Sequence, residues 1–114
     1  MMFTAALLLC LAPTASDGDT ARCGLTRTSY RLFALNANET GTVGAFEAKV
    51  AHQAEINGGV TCAPMGTSFN RIVAICYNYK GEDIGRKLLL QGHVKEVCSF
   101  SVSKAYPKGY YGTC

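Results

Sequence analysis

YRLFALNANE, residues Tyr30–Glu39, decides more about this chain than any other stretch. Leu32, Phe33, Ala34 and Leu35 form an unbroken apolar run, which predicts a buried strand. Arg31 heads that run and Glu39 lies just past its end, with Asn36 and Asn38 turning the chain between them. A guanidinium held beside a buried strand is costly unless it meets an anion. The arginine and the glutamate therefore frame either a site or a strand whose edge arginine pairs with a surface carboxylate.

The whole chain is 114 residues long, enough for one hydrophobic core and not for two. With 48% hydrophobic and 17% charged residues, its composition excludes a disordered polymer. The net charge of +3 is unevenly placed. Residues 1–70 hold four basic against five acidic side chains, net −1, and residues 71–114 hold seven against three, net +4. A basic C-terminal half attracts polyanions, although a bias of this size does not demand one. Six cysteines in so short a chain point to an oxidising compartment. AALLLCLA, residues 5–12, followed by Thr14, Ala15 and Ser16, is too short to span a bilayer and has the form of a secretory signal. No Lys or Arg precedes it. Residues 1–16 accordingly read as a signal peptide and 17–114 as the domain, the alternative being that 1–16 supply its first β-strand. A secreted or periplasmic monomer without stable membrane association is expected.

DGDT, Asp17–Thr20, reads as a turn in which aspartate side chains bond nearby backbone amides, and its paired carboxylates also suit hard cations. Ala21–Ser29 reads as a strand, a turn at Gly24 and a return, a hairpin that delivers Asp19 and Arg31 to one neighbourhood. Thr42–Asn57 is predicted helical, with Thr42 as N-cap, Phe46, Val50 and Ala54 on one face, and Gly58-Gly59 as the stop. His52 on this helix has no partner at metal-ligand spacing and reads as a surface or packing histidine. Val60–Cys62 is a short strand, 63–68 a loop, and IVAICY (Ile72–Tyr77) the strongest strand, with Arg71 at its start. After a turn at 78–81 a second helix places Ile84 and Leu88 one turn apart and ends at Gly92. The tail from His93 begins as a strand and becomes aromatic and glycine-rich. This order predicts an α+β, mainly β, fold: a small OB-like five-stranded barrel with two packed helices.

Four of these segments, in order, resemble the staphylococcal-nuclease-like, or thermonuclease, domain family. DGDT matches the family's opening motif, and YRLFALNANE is similar to its strand running from arginine to aspartate and ending in proline-glutamate. FNR (Phe69–Arg71) resembles a tyrosine-glycine-arginine approach to a strand, and GEDIGRKLLLQGH (Gly81–His93) resembles the following helix. The resemblance covers about residues 17–100. It implies a staphylococcal-nuclease-like fold and metal-assisted hydrolysis of DNA or RNA. Arg31 and Arg71 would then clamp the scissile phosphate, Glu39 would activate water, and Asp19 would bind Ca²⁺ or another divalent cation. Asn36 stands where the family has its second metal-binding aspartate, and Ala37 where it uses a backbone carbonyl. An amide carries no charge, so cation affinity is expected to fall. Phe69 and Phe100 would lie against bases, tolerating any sequence. The expectation is a secreted metal-dependent nuclease acting on nucleic acid. The alternative is a weakened or inactive OB-like module that binds nucleic acid or protein.

Cysteines would stabilise so small a domain. Cys62 and Cys76 flank the loop after residue 62, and antiparallel pairing of their strands would set them opposite each other. Cys98 and Cys114 would staple the tail. Cys23 is left over, and Cys10 departs with the signal peptide. Six cysteines allow many other pairings.

Overall fold

The computed structural model describes residues 7–38 and 41–114 of the chain. In order these form β1 (Leu8–Cys10), β2 (Pro13–Ala15), β3 (Thr20–Cys23), β4 (Ser29–Leu32), β5 (Leu35–Ala37), α1 (Ala45–Ile56), β6 (Val60–Ser68), β7 (Arg71–Asn78), α2 (Ile84–Leu90), β8 (Val94–Glu96) and α3 (Cys98–Ser101). The fold is α+β and mainly strands. Six strands make one sheet in the order β1-β6-β7-β4-β3-β2, with β4 and β7 parallel and the other pairs antiparallel. The two edge strands, β1 and β2, follow each other in the chain through Leu11 and Ala12 alone, so the sheet curls into a half-barrel. Its inner face carries Tyr30, Leu32, Ala74 and Cys76, all fully buried, with Leu35 and Leu88 in the same core.

The β3–β4 hairpin forms as expected, with Thr20 opposite Arg31. The apolar run after Arg31 is not one strand. Ala34 adopts a left-handed φ of 54° and breaks it, while the Phe33 amide donates to Ala74 O and Ala34 O accepts from the Val97 amide. The chain thereby leaves the large sheet after Leu32 and pairs β5 with β8 in a separate two-stranded ladder. Residues 63–68 also differ from expectation. They continue β6, and a bulge between Pro64 and Gly66 absorbs the proline, which has no amide to donate. The β6–β7 turn is Phe69-Asn70, both at positive φ, which is the two-residue geometry that matches strand twist.

Helix α1 begins later than predicted. Gly44 takes the N-cap position, and the Thr42 carbonyl accepts from the Ala45 amide. The buried face is Ala45, Ala48, His52 and Ile56, whereas Phe46 and Val50 point outward, 73% and 50% exposed. Close approach explains the small residues. A Cβ at Gly18 would stand 2.7 Å from the Ala48 Cβ and 2.6 Å from that of Ala37, so nothing larger fits beneath the DGDT turn. Helix α2 forms as read: the Asp83 side chain accepts from the Arg86 amide, Ile84 and Leu88 are buried, and Gly92 follows at φ 80°.

His52 is fully buried. Its Nδ1 lies 2.9 Å from Asp17 O, which can only accept, so Nδ1 carries the proton and Nε2 accepts from the Tyr30 hydroxyl at 2.7 Å. This neutral ring ties α1 to β4 and to the DGDT turn. Burial holds its pKa below the ordinary histidine value, against the Asp17 carbonyl and the charges of Asp19 and Glu55. The unfolded chain therefore binds the proton first, and stability contributed by His52 is full above about pH 6.5 and falls as pH drops below it. Each pH unit crossed is expected to cost up to about 1.4 kcal/mol. Urea unfolding at pH 7.5 and 5.5 checks this: the difference should shrink in His52→Gln, and an identical difference in both proteins would refute it.

Three disulfides close the fold: Cys10–Cys23, Cys62–Cys76 and Cys98–Cys114. Cys62 and Cys76 are direct partners across β6 and β7. The expectation that Cys23 is left over is corrected. It pairs with Cys10 because β1 and β2 occupy the sheet edges and bring the N-terminal segment beside β3. Three disulfides in a domain of this size fit an oxidising compartment, extracellular or periplasmic. Peptide mapping of the oxidised protein is expected to recover a Cys10–Cys23 peptide, and replacing both residues with alanine to cost about 3 kcal/mol. A free Cys23 thiol in the mature protein would instead show that the chain is cut before Asp17. Among the described residues no helix is long and apolar enough to cross a membrane.

Candidate functional site

The site starts from the DGDT turn. Asp17 Oδ1 accepts from the amides of Asp19 and Thr20, both at 2.9 Å, and this fixes the Asp19 side chain. Asp19 is buried and its carboxylate is well supplied with donors. Oδ1 takes Arg31 Nη1 at 3.0 Å and Thr20 Oγ1 at 2.9 Å, and Oδ2 takes the Ala37 amide at 2.8 Å. Burial pushes the Asp19 carboxyl upward, but the Ala37 amide, Asp17, the Arg31 charge and the Thr20 hydroxyl together hold its pKa below the usual carboxylate range. Burial and the neighbouring Asp19 push Asp17 the other way, upward.

Arg31 bridges three elements. Besides Asp19 it donates through Nη2 to Leu35 O at 3.2 Å and, by a short contact, to Asn36 Oδ1. A guanidinium has five N–H donors, so these three bonds leave it two to offer a ligand. Arg71, 40 residues further along the chain, arrives at the same place from the start of β7. Its Nη1 points at Thr20 Oγ1 and its Nε at Ser68 O, both at a long 3.4 Å. Among the described residues it makes no ion pair with a carboxylate. Asp19, Arg31, Asn36, Ala37 and Arg71, each singled out in the sequence, therefore lie together with Thr20, which was not. Glu39 lies outside the described residues.

A cleft of about 320 Å³ opens beside Arg31, lined among others by Phe33, Met65, Ser68, Val97 and Phe100. Phe100 is 73% exposed on this cleft. Phe69 is 90% exposed at the tip of the β6–β7 turn, adjacent in sequence to the cleft's Ser68 and outside its lining. A second hollow of about 350 Å³ between the DGDT turn and α1 includes Asp17, Phe46 and Lys49 and none of the converging arginines. The cleft beside Arg31 is therefore the one that adjoins the converging side chains.

The donor set can be compared with what a hard cation requires. Ca²⁺ takes six to eight oxygens and relies on carboxylate charge. Here Asp19 Oδ1 is saturated, Oδ2 is already bonded to an amide, and the Asn36 oxygen faces a guanidinium. The Ala37 contact with Asp19 is made by its N–H, a donor, rather than by its carbonyl. Asp19 and Arg31 cancel in charge, so a divalent cation would compete with Arg31 for the same oxygens. These residues fit a tightly held Ca²⁺ poorly. Among the described residues, no group of three or more His, Cys, Asp or Glu stands where it would hold a metal ion.

Sequence reasoning missed two features. Lys95 stands directly opposite Asn36 in the β5–β8 ladder, and a three-residue strand leaves little signal for such a pairing. Glu96, its neighbour, organises the tail. It accepts from the amides of Tyr111 and Thr113 at 2.9 and 2.8 Å, from the Thr113 hydroxyl at 2.7 Å, and from Ser101 Oγ by a short contact. Burial raises its pKa, but these donors, led by Ser101 and Thr113, outweigh it and bring the group to about 2. No protein-family model matches the chain, and no curated protein matches it.

Proposed function

We propose that this chain is a staphylococcal-nuclease-like phosphodiester hydrolase acting on nucleic acid. The observation that carries the reading is the meeting of Arg31 and Arg71, distant in sequence, around the Asp19–Thr20 pair beside an open cleft. Arg71 has no carboxylate partner among the described residues, so its positive charge is unspent where a phosphate would sit. The sheet order β2-β3-β4-β7-β6-β1, with β1 and β2 counted as one bent strand that closes on β6, supports the OB-like five-stranded barrel that the motifs imply.

In this reading water attacks phosphorus and gives its proton to Glu39, a role assigned to that residue by resemblance. The bond from phosphorus to the leaving sugar oxygen breaks, and that oxygen takes a proton from solvent. Negative charge grows on the non-bridging oxygens, where Arg71 and the two spare N–H groups of Arg31 stabilise it. No step runs through a metal ion, because the Asp19 and Asn36 oxygens are already committed to Thr20, Arg31 and the Ala37 amide.

One observation favours a second reading. Arg31 spends three of its donors inside the protein, which suits a module that binds nucleic acid without cleaving it. Incubation of the oxidised protein with single-stranded DNA and with RNA, in millimolar Ca²⁺ or in chelator, separates them. Cleavage that needs Ca²⁺ supports the metal-dependent hydrolase, and cleavage in chelator a hydrolase that works through its arginines. Binding without cleavage under every cation supports the module, and neither binding nor cleavage refutes both.

A further inference from the structure

We infer that Lys95 forms a second phosphate subsite beside Asn36, so that the ligand spans at least two consecutive phosphates of a single strand. This rests on the reading of Arg31 and Arg71 as the pair that holds the first phosphate. Leu35, Asn36 and Ala37 pair with Glu96, Lys95 and Val94, and directly opposed residues of an antiparallel ladder share a face. Leu35 and Val94 are buried, so the face that alternates with theirs, holding Asn36 and Lys95, points outward, and both residues are exposed. The Asn36 side chain on that face reaches Arg31. Cross-strand partners have Cβ atoms about 5 Å apart. The ammonium of Lys95 therefore projects from the same surface as the Arg31–Asn36 contact.

Charge makes the juxtaposition informative. Among the described residues Lys95 has no carboxylate partner. Its sequence neighbour Glu96 faces the other way and is committed to Ser101, Tyr111 and Thr113. Asp19 is matched by Arg31. An aspartate at position 36 would neutralise Lys95, whereas the asparagine present leaves the lysine its full charge. An amide at 36 thus removes charge from a cation site and, by the same change, completes an anion site. The resulting positive stripe runs from Arg71 through Arg31 to Lys95 and passes a cleft walled by Phe33, Met65 and Phe100, where a base can stack.

The test measures binding of a fluorescent twelve-residue oligothymidylate in chelator at several salt concentrations. Each phosphate neutralised on a single strand contributes a slope of about 0.7 in log K against log salt. Lys95→Gln is expected to lower the slope by about 0.7 and to weaken binding about five-fold near 0.1 M salt. Lys95→Arg should preserve both, and Lys104→Gln, an exposed lysine of the tail, should change neither. Binding of thymidine 5′-monophosphate, which offers a single phosphate group, should be unaffected by Lys95→Gln. If Arg71→Gln lowers the slope and Lys95→Gln does not, the first phosphate site stands and the second is refuted. If Lys95→Gln weakens the mononucleotide equally, the subsite is part of the first. If the wild-type protein binds no oligonucleotide, the underlying reading falls as well.

Discussion

Replacing Arg31 with alanine is expected to abolish cleavage and to lower stability by about 3 kcal/mol, a size typical of a buried pair that loses one partner. Asp19 is the reason. Its side chain is 7% exposed, and Arg31 is its only ion-pair partner among the described residues. Removing the guanidinium leaves a buried carboxylate with hydrogen bonds but no countercharge, and strands Leu35 O and the Asn36 side chain as well. The loss carries a pH signature. With its pKa depressed, Asp19 contributes stability that is full above about pH 4 and is lost as pH falls through its folded value. The gap between wild type and Arg31→Ala should therefore narrow as pH is lowered from 7 towards 3. Arg71→Gln is expected to behave in the opposite way, abolishing cleavage at a stability cost below about 1 kcal/mol, because its internal bonds are long and it has no described carboxylate partner. Urea unfolding at both pH values, beside a cleavage assay, reads both effects. Equal stability of Arg31→Ala and wild type at pH 7 would mean that the ion pair does not hold the turn to the sheet.

The second large effect is expected from Asn36→Asp, and it has two opposite faces. In low Ca²⁺ the substitution should raise cleavage at least ten-fold, because it doubles the carboxylate count around the cation at almost unchanged shape. In chelator it should weaken oligonucleotide binding, because the new carboxylate lies between Arg31 and Lys95 and neutralises part of the positive stripe. A metal titration of cleavage and a binding isotherm in chelator measure the two faces separately. Unchanged cation dependence would place any metal away from Asp19 and Asn36, and unchanged binding in chelator would remove Asn36 from the anion surface. Glu39→Gln in the same background should stay inactive at every Ca²⁺ concentration.

Much of the fold is legible in the sequence because its signals are local. The β3–β4 hairpin follows from two short strands and a turn, and it alone delivers Arg31 to Asp19. Helix α2 follows from the stacking of Ile84 and Leu88 with Gly92 behind them. The Cys62–Cys76 pair follows once β6 and β7 are antiparallel neighbours. Each depends on residues close in sequence, where spacing and propensity suffice.

What tertiary structure decided is a set of choices among alternatives that the sequence permits equally. Periodicity offered α1 an apolar face of Phe46 and Val50, but Gly18 and the DGDT turn come so close that the alanine face packs inward instead. The run Leu32–Leu35 reads as a single strand, yet hydrogen bonds from Phe33 to Ala74 and from Val97 to Ala34 hold a left-handed Ala34 and divide it between two sheets. That division creates β5, and only the pairing of β5 with β8 brings Lys95 opposite Asn36. Closure of the half-barrel likewise gives Cys23 its partner, Cys10. Composition and spacing record which residues are apolar, charged or small. Contacts between segments 13 to 61 residues apart determine which of them face one another, because their free energy exists only after the chain has closed those loops.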